Sequence, residues 1–191
     1  MTAAPEQVLV LPTARLRPHL GAGMIKGAGA EAILEMVASE PAFIDRPVAE
    51  RSEEWRQIIP YVVIRHGRDV FVLERTAKQT EARLHHKLSI GIGGHVNPGY
   101  DLMAGLKKEL DEEVRVGGKY TLTFVGMLND ESTEVGRVHL GAVFLLDAST
   151  RDVEVLETEK MHGNWMDAAS LARVRERLET WSQIVYDDLL A

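Results

Sequence analysis

Three glutamates near the middle of the chain have a spacing that suits the binding of a divalent cation. Glu109, Glu112 and Glu113 lie at positions i, i+3 and i+4, so an α-helix would place their carboxylates on one face. Carboxylates at these spacings repel each other and destabilise an isolated helix by roughly 0.2–0.5 kcal/mol per pair. Mg²⁺ or Mn²⁺, which prefer oxygen ligands, would offset this repulsion. The alternative is an acidic helix face that is only solvated.

The element that carries these glutamates is predicted to be a helix that begins after Asp101 and ends at Gly117 and Gly118. An aspartate can accept hydrogen bonds from the first free N–H groups, and glycine is common just beyond a helix end. A glycine-rich turn over residues 91–94 precedes the helix. Its apolar face is predicted to consist of Met103, Leu106, Leu110 and Val114.

The stretch 94–116 resembles the Nudix box, the signature of the Nudix hydrolase superfamily. That signature reads Gly, five residues, Glu, seven residues, Arg-Glu-aliphatic, any residue, Glu-Glu, any residue, Gly-aliphatic. Three positions depart from it, because Tyr100 replaces a Glu, Lys108 an Arg and Arg115 a Gly. The resemblance is strong over residues 58–147, weaker for the C-terminal helix and absent for about the first fifty residues. The matching positions are Gly94, Glu109, Leu110, Glu112, Glu113 and Val116.

This resemblance implies an α/β fold, a Nudix-like α/β/α sandwich with a mixed β-sheet. It also implies divalent-metal-dependent hydrolysis of a pyrophosphate bond in a nucleoside diphosphate linked to another group. Glu109 would be a metal ligand or would handle the proton of the attacking water, and Lys108 would take the place of the arginine that orients it. Lysine keeps the charge of arginine but not its two-pronged geometry. The implied metal ligands are Glu109, Glu112, Glu113 and a main-chain carbonyl near Gly93.

Other residues are weaker candidates for the site. Arg83, His85 and Lys87 would point to one face of a strand, where they could form a phosphate-binding row or be ordinary surface charges. His139 lies two residues after Arg137 and could line the pocket or be a histidine satisfied within the sheet. The residue types leave these alternatives open. Any of four further carboxylates could supplement the box: Glu131, Glu134, Glu157 and Glu159.

Two rival functions share the expected fold. A Nudix-fold sensor would bind such a ligand without cleaving it, and the three departures from the box are the reason to consider it. Retention of all three glutamates argues against the sensor. A Nudix-fold isomerase of isoprenoid diphosphates typically needs a cysteine, and the chain has none.

Composition narrows the class of protein. The 191 residues predict one domain with an extension, divided into an N-terminal extension over 1–57 and a Nudix-like domain over 58–191. A net charge of −7 argues against nucleic-acid binding, while a phosphorylated small molecule remains a suitable partner. We expect no signal peptide and no membrane span, and hence a cytoplasmic enzyme. The oligomeric state stays open, and a homodimer is compatible with the sequence.

Hydrophobic patterns predict the remaining elements. Helices are expected over residues 30–39 and after Asp167. The apolar face of the second helix would consist of Leu171, Val174, Leu178, Trp181 and Val185. Residues 13–29 are predicted to be loop and residues 43–51 irregular, because of their glycines and prolines. Strands are predicted over 8–11, 58–64, 70–73, 120–128, 138–146, 153–156 and 163–166, and residues 88–92 lead into the glycine turn.

Overall fold

The computed structural model describes residues 4–75, 87–159 and 161–191, which form two compact units. The boundary predicted between residues 57 and 58 is not tested by this division and stays a prediction. No helix in the described ranges is long and apolar enough to cross a membrane. The first unit comprises Met1–Tyr61, Gly93–Lys107 and Val125–Val143, and the second comprises Val62–Ile92, Lys108–Phe124 and Phe144–Ala191.

Strands and helices alternate in the N-terminal part of the chain, whereas the strands within 55–93 and within 114–167 follow one another without an intervening α-helix among the described residues. The strands of the described residues are β1 (Gln7–Pro12), β2 (Gly23–Ile25), β3 (Ala42–Asp45), β4 (Trp55–His66), β5 (Asp69–Arg75), β6 (Leu88–Ser89), β7 (Gly91–Gly93), β8 (Val114–Val116), β9 (Tyr120–Asn129), β10 (His139–Ala148), β11 (Val153–Val155) and β12 (Met161–Asp167). The helices are α1 (Thr13–Leu16), α2 (Ala28–Ser39), α3 (Arg46–Ala49), α4 (Leu102–Glu113), α5 (Ala168–Val174) and α6 (Thr180–Leu189).

Most strands of the described residues belong to one sheet. Its main hydrogen-bonded order is β12-β5-β4-β10-β9-β2, with β1 paired to β3 and β4, β6 to β5, and β7 to β4. A separate two-stranded sheet joins β8 to β11. The mixed α/β class and the mixed sheet predicted from the sequence are confirmed. The predicted strands are present with ends that differ by a few residues, and the stretch that leads into the glycine turn contains β6 and β7.

In the first unit, β1 lies between two neighbouring strands. Val10 stands opposite Ala42 of β3 and opposite Gln57 of β4, both in antiparallel pairs. Residues 8–11 are buried, as expected for an apolar run with a strand on each side. The first strand is therefore part of the core of this unit.

The N-terminal part of the first unit has more regular structure than the sequence predicts. The predicted loop over 13–29 is wrong in part, because it contains α1 and β2. The irregular stretch predicted over 43–51 is also wrong, since β3 pairs with β1 and α3 follows. Pro47 lies in the first turn of α3, where its missing N–H has no helical partner to lose. Pairing with a buried strand thus outweighs the local turn signals.

Helix α4 confirms the predicted start and corrects both its apolar face and its end. The Asp101 carboxylate accepts a hydrogen bond from the Ala104 N–H at 2.7 Å, which is the predicted cap. Met103 is 47% exposed and Leu102 only 7%, so the buried stripe runs through Leu102 and Leu106 rather than through Met103. The helix ends at Glu113 and not at Gly117, because the β-branched segment that follows forms β8.

The C-terminal segment of the second unit is divided where a single helix was predicted. Asp167 caps α5 as expected, because its carboxylate accepts from the Ser170 N–H at 2.7 Å. A 3₁₀ turn then leads to an extended stretch at Leu178 and Glu179, and α6 follows. The Glu179 N–H donates to the Leu88 carbonyl at 2.9 Å, so a backbone contact with β6 interrupts the helix.

The corrected apolar face of α4 predicts how two neighbouring substitutions differ. Leu106→Ala removes a side chain that is 2% exposed and should lower the free energy of unfolding by about 2–5 kcal/mol. Met103→Ala, at an exposed position of the same helix, should change it by less than about 0.5 kcal/mol. Urea denaturation of both variants measures the difference, and equal losses would contradict the assignment of the buried face.

Candidate functional site

The glycine turn in the first unit is set by a close approach of two backbones. A Cβ atom added to Gly93 would lie 2.7 Å from the Pro60 carbonyl oxygen of β4 and 3.3 Å from Ile59. Only glycine therefore allows β7 to lie this close to β4. The role of the Gly93 carbonyl as a metal ligand stays a prediction.

In the second unit, α4 places two of the three glutamates beside the ammonium group of Lys108. The Lys108 ammonium nitrogen lies 3.1 Å from a carboxylate oxygen of Glu109 and 3.0 Å from one of Glu112. The Glu109 side chain is 16% exposed and that of Glu112 58%, so the pair lies at the edge of the solvent. Hydrogen bonds to Glu112 and then to Glu109 raise the pKa of Lys108 above its ordinary value. The two carboxylates thus converge on a single positive charge.

The third glutamate stands at the end of the helix. The Glu113 carbonyl accepts a hydrogen bond from the Leu156 N–H at 2.8 Å, which joins the end of α4 to the residue that follows β11. Among the described residues, no three or more His, Asp or Glu side chains are grouped closely enough to hold a metal ion together. Carboxylate oxygens are nevertheless suitable ligands for a hard cation. One oxygen each of Glu109 and Glu112 already lies within hydrogen-bond distance of the same positive charge, the Lys108 ammonium.

Two departures from the Nudix box, Arg115 and Tyr100, lie on either side of the helix that carries the glutamates. The Nudix box has a glycine at the position of Arg115, but here Arg115 lies in β8, opposite Glu154 of β11, and forms an ion pair with it. Extended backbone accepts any side chain, so glycine is not required there. Tyr100 is exposed, and its N–H donates to the Asn97 carbonyl at 3.2 Å within the turn before α4.

His139, a predicted substrate-binding residue, lies in the first unit beside His95, which is not among the predicted site residues. The His139 and His95 rings meet edge to face with centroids 5.6 Å apart, and His139 Nδ1 lies 2.7 Å from the Val135 carbonyl. His95 Nε2 lies 3.0 Å from the side-chain oxygen of the fully buried Gln57. The place of His95 directly after the Gly-Gly turn was the available signal for it.

His95 is neutral at physiological pH. Burial, together with the positive charges of Arg46 and His139, lowers its pKa from 6.5 to about 4, and Glu6 acts to a smaller extent in the opposite direction. A neutral imidazole can donate one hydrogen bond and accept one. His95 therefore serves the first unit as an uncharged hydrogen-bonding group.

The predicted phosphate-binding row is described only in part. Lys87 is half-buried and directly precedes β6 in the second unit, whereas Arg83 and His85 lie outside the described residues. The role of Lys87 in substrate binding stays a prediction.

Glu131, one of the carboxylates that could supplement the box, forms an ion pair at 2.9 Å with the buried Arg56 of β4. Glu131 therefore has a structural partner.

Comparison with known proteins identifies the family. No model of a protein family matches the sequence. Protein YmaB of Bacillus subtilis (strain 168) is 39% identical over 153 residues, which cover 74% of each chain. The crystal structure of Tm1382, a proposed Nudix hydrolase, is similar with a TM-score of 0.83 and 32% identity, over 97% of this chain and 98% of that one. The chain belongs to the Nudix hydrolase superfamily.

More distant Nudix structures share the fold alone. A Nudix hydrolase from Nitrosomonas europaea is similar with a TM-score of 0.52 and 18% identity, over 70% of this chain and 88% of that one. A bifunctional NMN adenylyltransferase/ADP ribose pyrophosphatase from Francisella tularensis gives a TM-score of 0.55 and 10% identity, over 84% of this chain and 46% of that one. The Nudix fold expected from the sequence is confirmed.

The contact between Lys108 and Glu109 predicts a catalytic effect without a large effect on stability. Lys108→Ala should lower turnover by about tenfold or more, because Glu109 loses the charge that orients it. The free energy of unfolding should change by less than about 1 kcal/mol, since the pair is partly solvated. Lys108→Arg should be neutral or better, because guanidinium can offer two parallel hydrogen bonds. Lys107→Ala, at an exposed neighbour, is the matched control, and equal turnover in both alanine variants would leave Lys108 without a catalytic role.

The low pKa of His95 predicts a loss of stability in weak acid. Between about pH 4 and pH 6.5 the unfolded chain binds a proton at His95 that the folded chain does not. The free energy of unfolding should therefore fall by up to about 3 kcal/mol as the pH drops through this window. His95→Asn, which cannot titrate, should flatten the profile, whereas His162→Asn at an exposed position should not. Urea titrations from pH 4 to pH 8 measure both profiles, and a slope unchanged by His95→Asn would contradict the assignment.

Proposed function

We propose that this chain is a divalent-metal-dependent hydrolase that cleaves the pyrophosphate bond of a nucleoside diphosphate linked to another group. The observation that supports the proposal is the convergence of Glu109 and Glu112 on one cationic centre, on the helix that carries the Nudix box. Membership of the Nudix superfamily makes hydrolysis of a phosphorus anhydride the natural chemistry. The substrate is thus a phosphorylated small molecule.

Mg²⁺ or Mn²⁺ is the proposed cofactor, held by Glu109, Glu112 and Glu113, with the Gly93 carbonyl as a further ligand expected from the resemblance. When bound, the ion would neutralise the charge that develops on the phosphoryl oxygens and would lower the pKa of the water molecule bound to it. Lys108 would release the Glu112 oxygen that it contacts and keep Glu109 oriented through its hydrogen bond to that carboxylate.

Side chains of the protein would carry out proton transfer and substrate binding. The Glu109 carboxylate, the less exposed of the two that contact Lys108, is suited to accept the proton of the attacking water. Arg83, Lys87 and His139 are proposed to contact the substrate, with Lys87 providing positive charge for phosphate. No cysteine is present, so direct attack by water is simpler than a covalent thiol intermediate. A cytoplasmic location and a homodimer stay predictions.

A non-catalytic Nudix-fold sensor is the second candidate. The position of Lys108 favours it, because the ammonium neutralises Glu109 and Glu112 without any metal. A sensor would bind a nucleoside diphosphate derivative and leave its pyrophosphate bond intact.

Hydrolysis in ¹⁸O-labelled water distinguishes the enzyme from the sensor. A panel of ADP-ribose, UDP-glucose, NADH and nucleoside triphosphates is incubated with Mg²⁺ or Mn²⁺, and the products are resolved by phosphorus NMR. The hydrolase should place one labelled oxygen on a single phosphate-bearing product, at the phosphorus attacked, and should stop when EDTA removes the metal. Metal-dependent binding without labelled product over hours would establish the sensor instead.

The proposed metal ligands predict a matched set of variants. Glu112→Gln and Glu113→Gln should each weaken Mn²⁺ binding and lower turnover by about 100-fold or more, because a neutral amide stabilises the cation poorly. Both variants should remain folded, since neither side chain belongs to the buried stripe of α4. Asp111→Asn, at an exposed position of the same helix, is the control and should bind Mn²⁺ as the wild type does. Calorimetric titration that gives one affinity for all four proteins would exclude the assignment.

A further inference from the structure

The first strand of the chain contacts the loop that leads into α4. The Leu9 N–H of β1 donates to the Val96 carbonyl at 2.8 Å. The side-chain amide nitrogen of Asn97 donates to a Glu6 carboxylate oxygen at 2.9 Å and to the Gln7 carbonyl at 3.0 Å. Both hydrogens of this amide group are therefore directed at the N-terminal segment.

The N-terminal side of this contact is itself fixed. The second carboxylate oxygen of Glu6 lies 3.1 Å from the Arg46 guanidinium of α3, and the Arg46 N–H donates to the Glu6 carbonyl at 2.7 Å. Arg46 also holds Glu50 at 2.8 Å. Although burial raises the pKa of Glu6, the hydrogen bonds from Asn97 and Arg46 lower it overall, so the charged form is favoured. Glu6 thus presents Asn97 with a carboxylate held in place by α3.

The loop side of the contact continues directly into the helix. Val96 packs against Gly105 so closely that a Cβ atom on the glycine would lie 2.8 Å from the valine side chain. The Tyr100 N–H donates to the Asn97 carbonyl, and Asp101 caps the first turn of α4. A displacement of residues 96–97 would therefore be transmitted to the start of the helix.

We propose that β1 sets the position of the glutamate-bearing helix through Asn97, which acts as a positioning residue. Helix α4 is continuous from Leu102 to Glu113, so a tilt at its first turn moves the carboxylates of its last turns. Positioning errors of about 1 Å can cost on the order of 100-fold in rate. The residues that hold Asn97 lie in the part of the chain without resemblance to the Nudix box. The catalytic consequence of this inference rests on the hydrolase function proposed above.

Asn97→Asp tests the contact with minimal change of shape. The substitution replaces the donor with an acceptor that faces the Glu6 carboxylate and the Gln7 carbonyl. Hydrogen–deuterium exchange of the Ala104 and Gly105 amides should become about tenfold faster, because the first turn of α4 loses its anchor. For the panel substrate with the highest wild-type turnover, kcat should fall by about tenfold while KM changes by less than about threefold.

A complementary variant and a matched control separate positioning from a general loss of stability. Glu6→Gln in the Asn97→Asp background lets the new amide donate to the aspartate, and should return exchange and kcat to within about threefold of the wild type. Glu40→Gln changes a glutamate that pairs with Arg15 at 2.9 Å in the same unit and should leave both readouts unchanged.

Each outcome decides the proposal. Faster exchange at Leu9 with wild-type exchange at Ala104 and Gly105 would mean that β1 contacts the loop without positioning the helix, and the proposal would fail. If Asn97→Asp does not fold, Asn97→Ala removes the same bonds without repulsion and is judged by the same exchange rates. If the wild type cleaves no substrate of the panel, the hydrolase function fails, whereas the exchange rates still decide whether Asn97 positions α4.

Discussion

Repulsion between carboxylates on α4 is the constraint around which the site is built. Glu109, Glu112 and Glu113 fall within little more than one helical turn, and the Lys108 ammonium lies between two of them. This charge holds Glu109 and Glu112 together without another cation. The same geometry that destabilises the isolated helix would suit the harder and more highly charged ion that we propose as the cofactor.

The sequence predicts most of the fold where local pattern and tertiary pairing agree. The long strands β4, β9 and β10 and the start of α4 follow from apolar runs and a capping aspartate. The errors arise where pairing outweighs local preference. Val114 continues the helical pattern but lies in β8, where it pairs with Val155 of β11. Residues 43–45 pair with β1 despite the neighbouring prolines. Periodicity alone also could not decide whether Leu102 or Met103 faces the core, since both lie close to the stripe of Leu106.

The residues of the candidate site likewise fall into those that the sequence pattern predicts and those that it does not. Glu109, Glu112 and Lys108 could be predicted because one helix brings them together at fixed spacing. His95 and Asn97 could not, because their partners lie far away in the sequence. Asn97 contacts Glu6 across 91 positions, and His95 contacts Gln57 across 38. A motif encodes contacts within one element, whereas the support for that element comes from strands that the motif does not contain.

The early end of α4 has an electrostatic consequence. Because the helix stops at Glu113, three carboxylates, those of Asp111, Glu112 and Glu113, occupy the last turn, where carbonyl groups without a partner inside the helix give the helix dipole its negative end. That turn contains no basic side chain. A cation bound there interacts favourably with the carbonyl ends as well as with the carboxylates. Fraying of the last turn and release of the proposed ion would therefore be thermodynamically linked, so that the ion would act as a C-terminal cap for the helix that binds it.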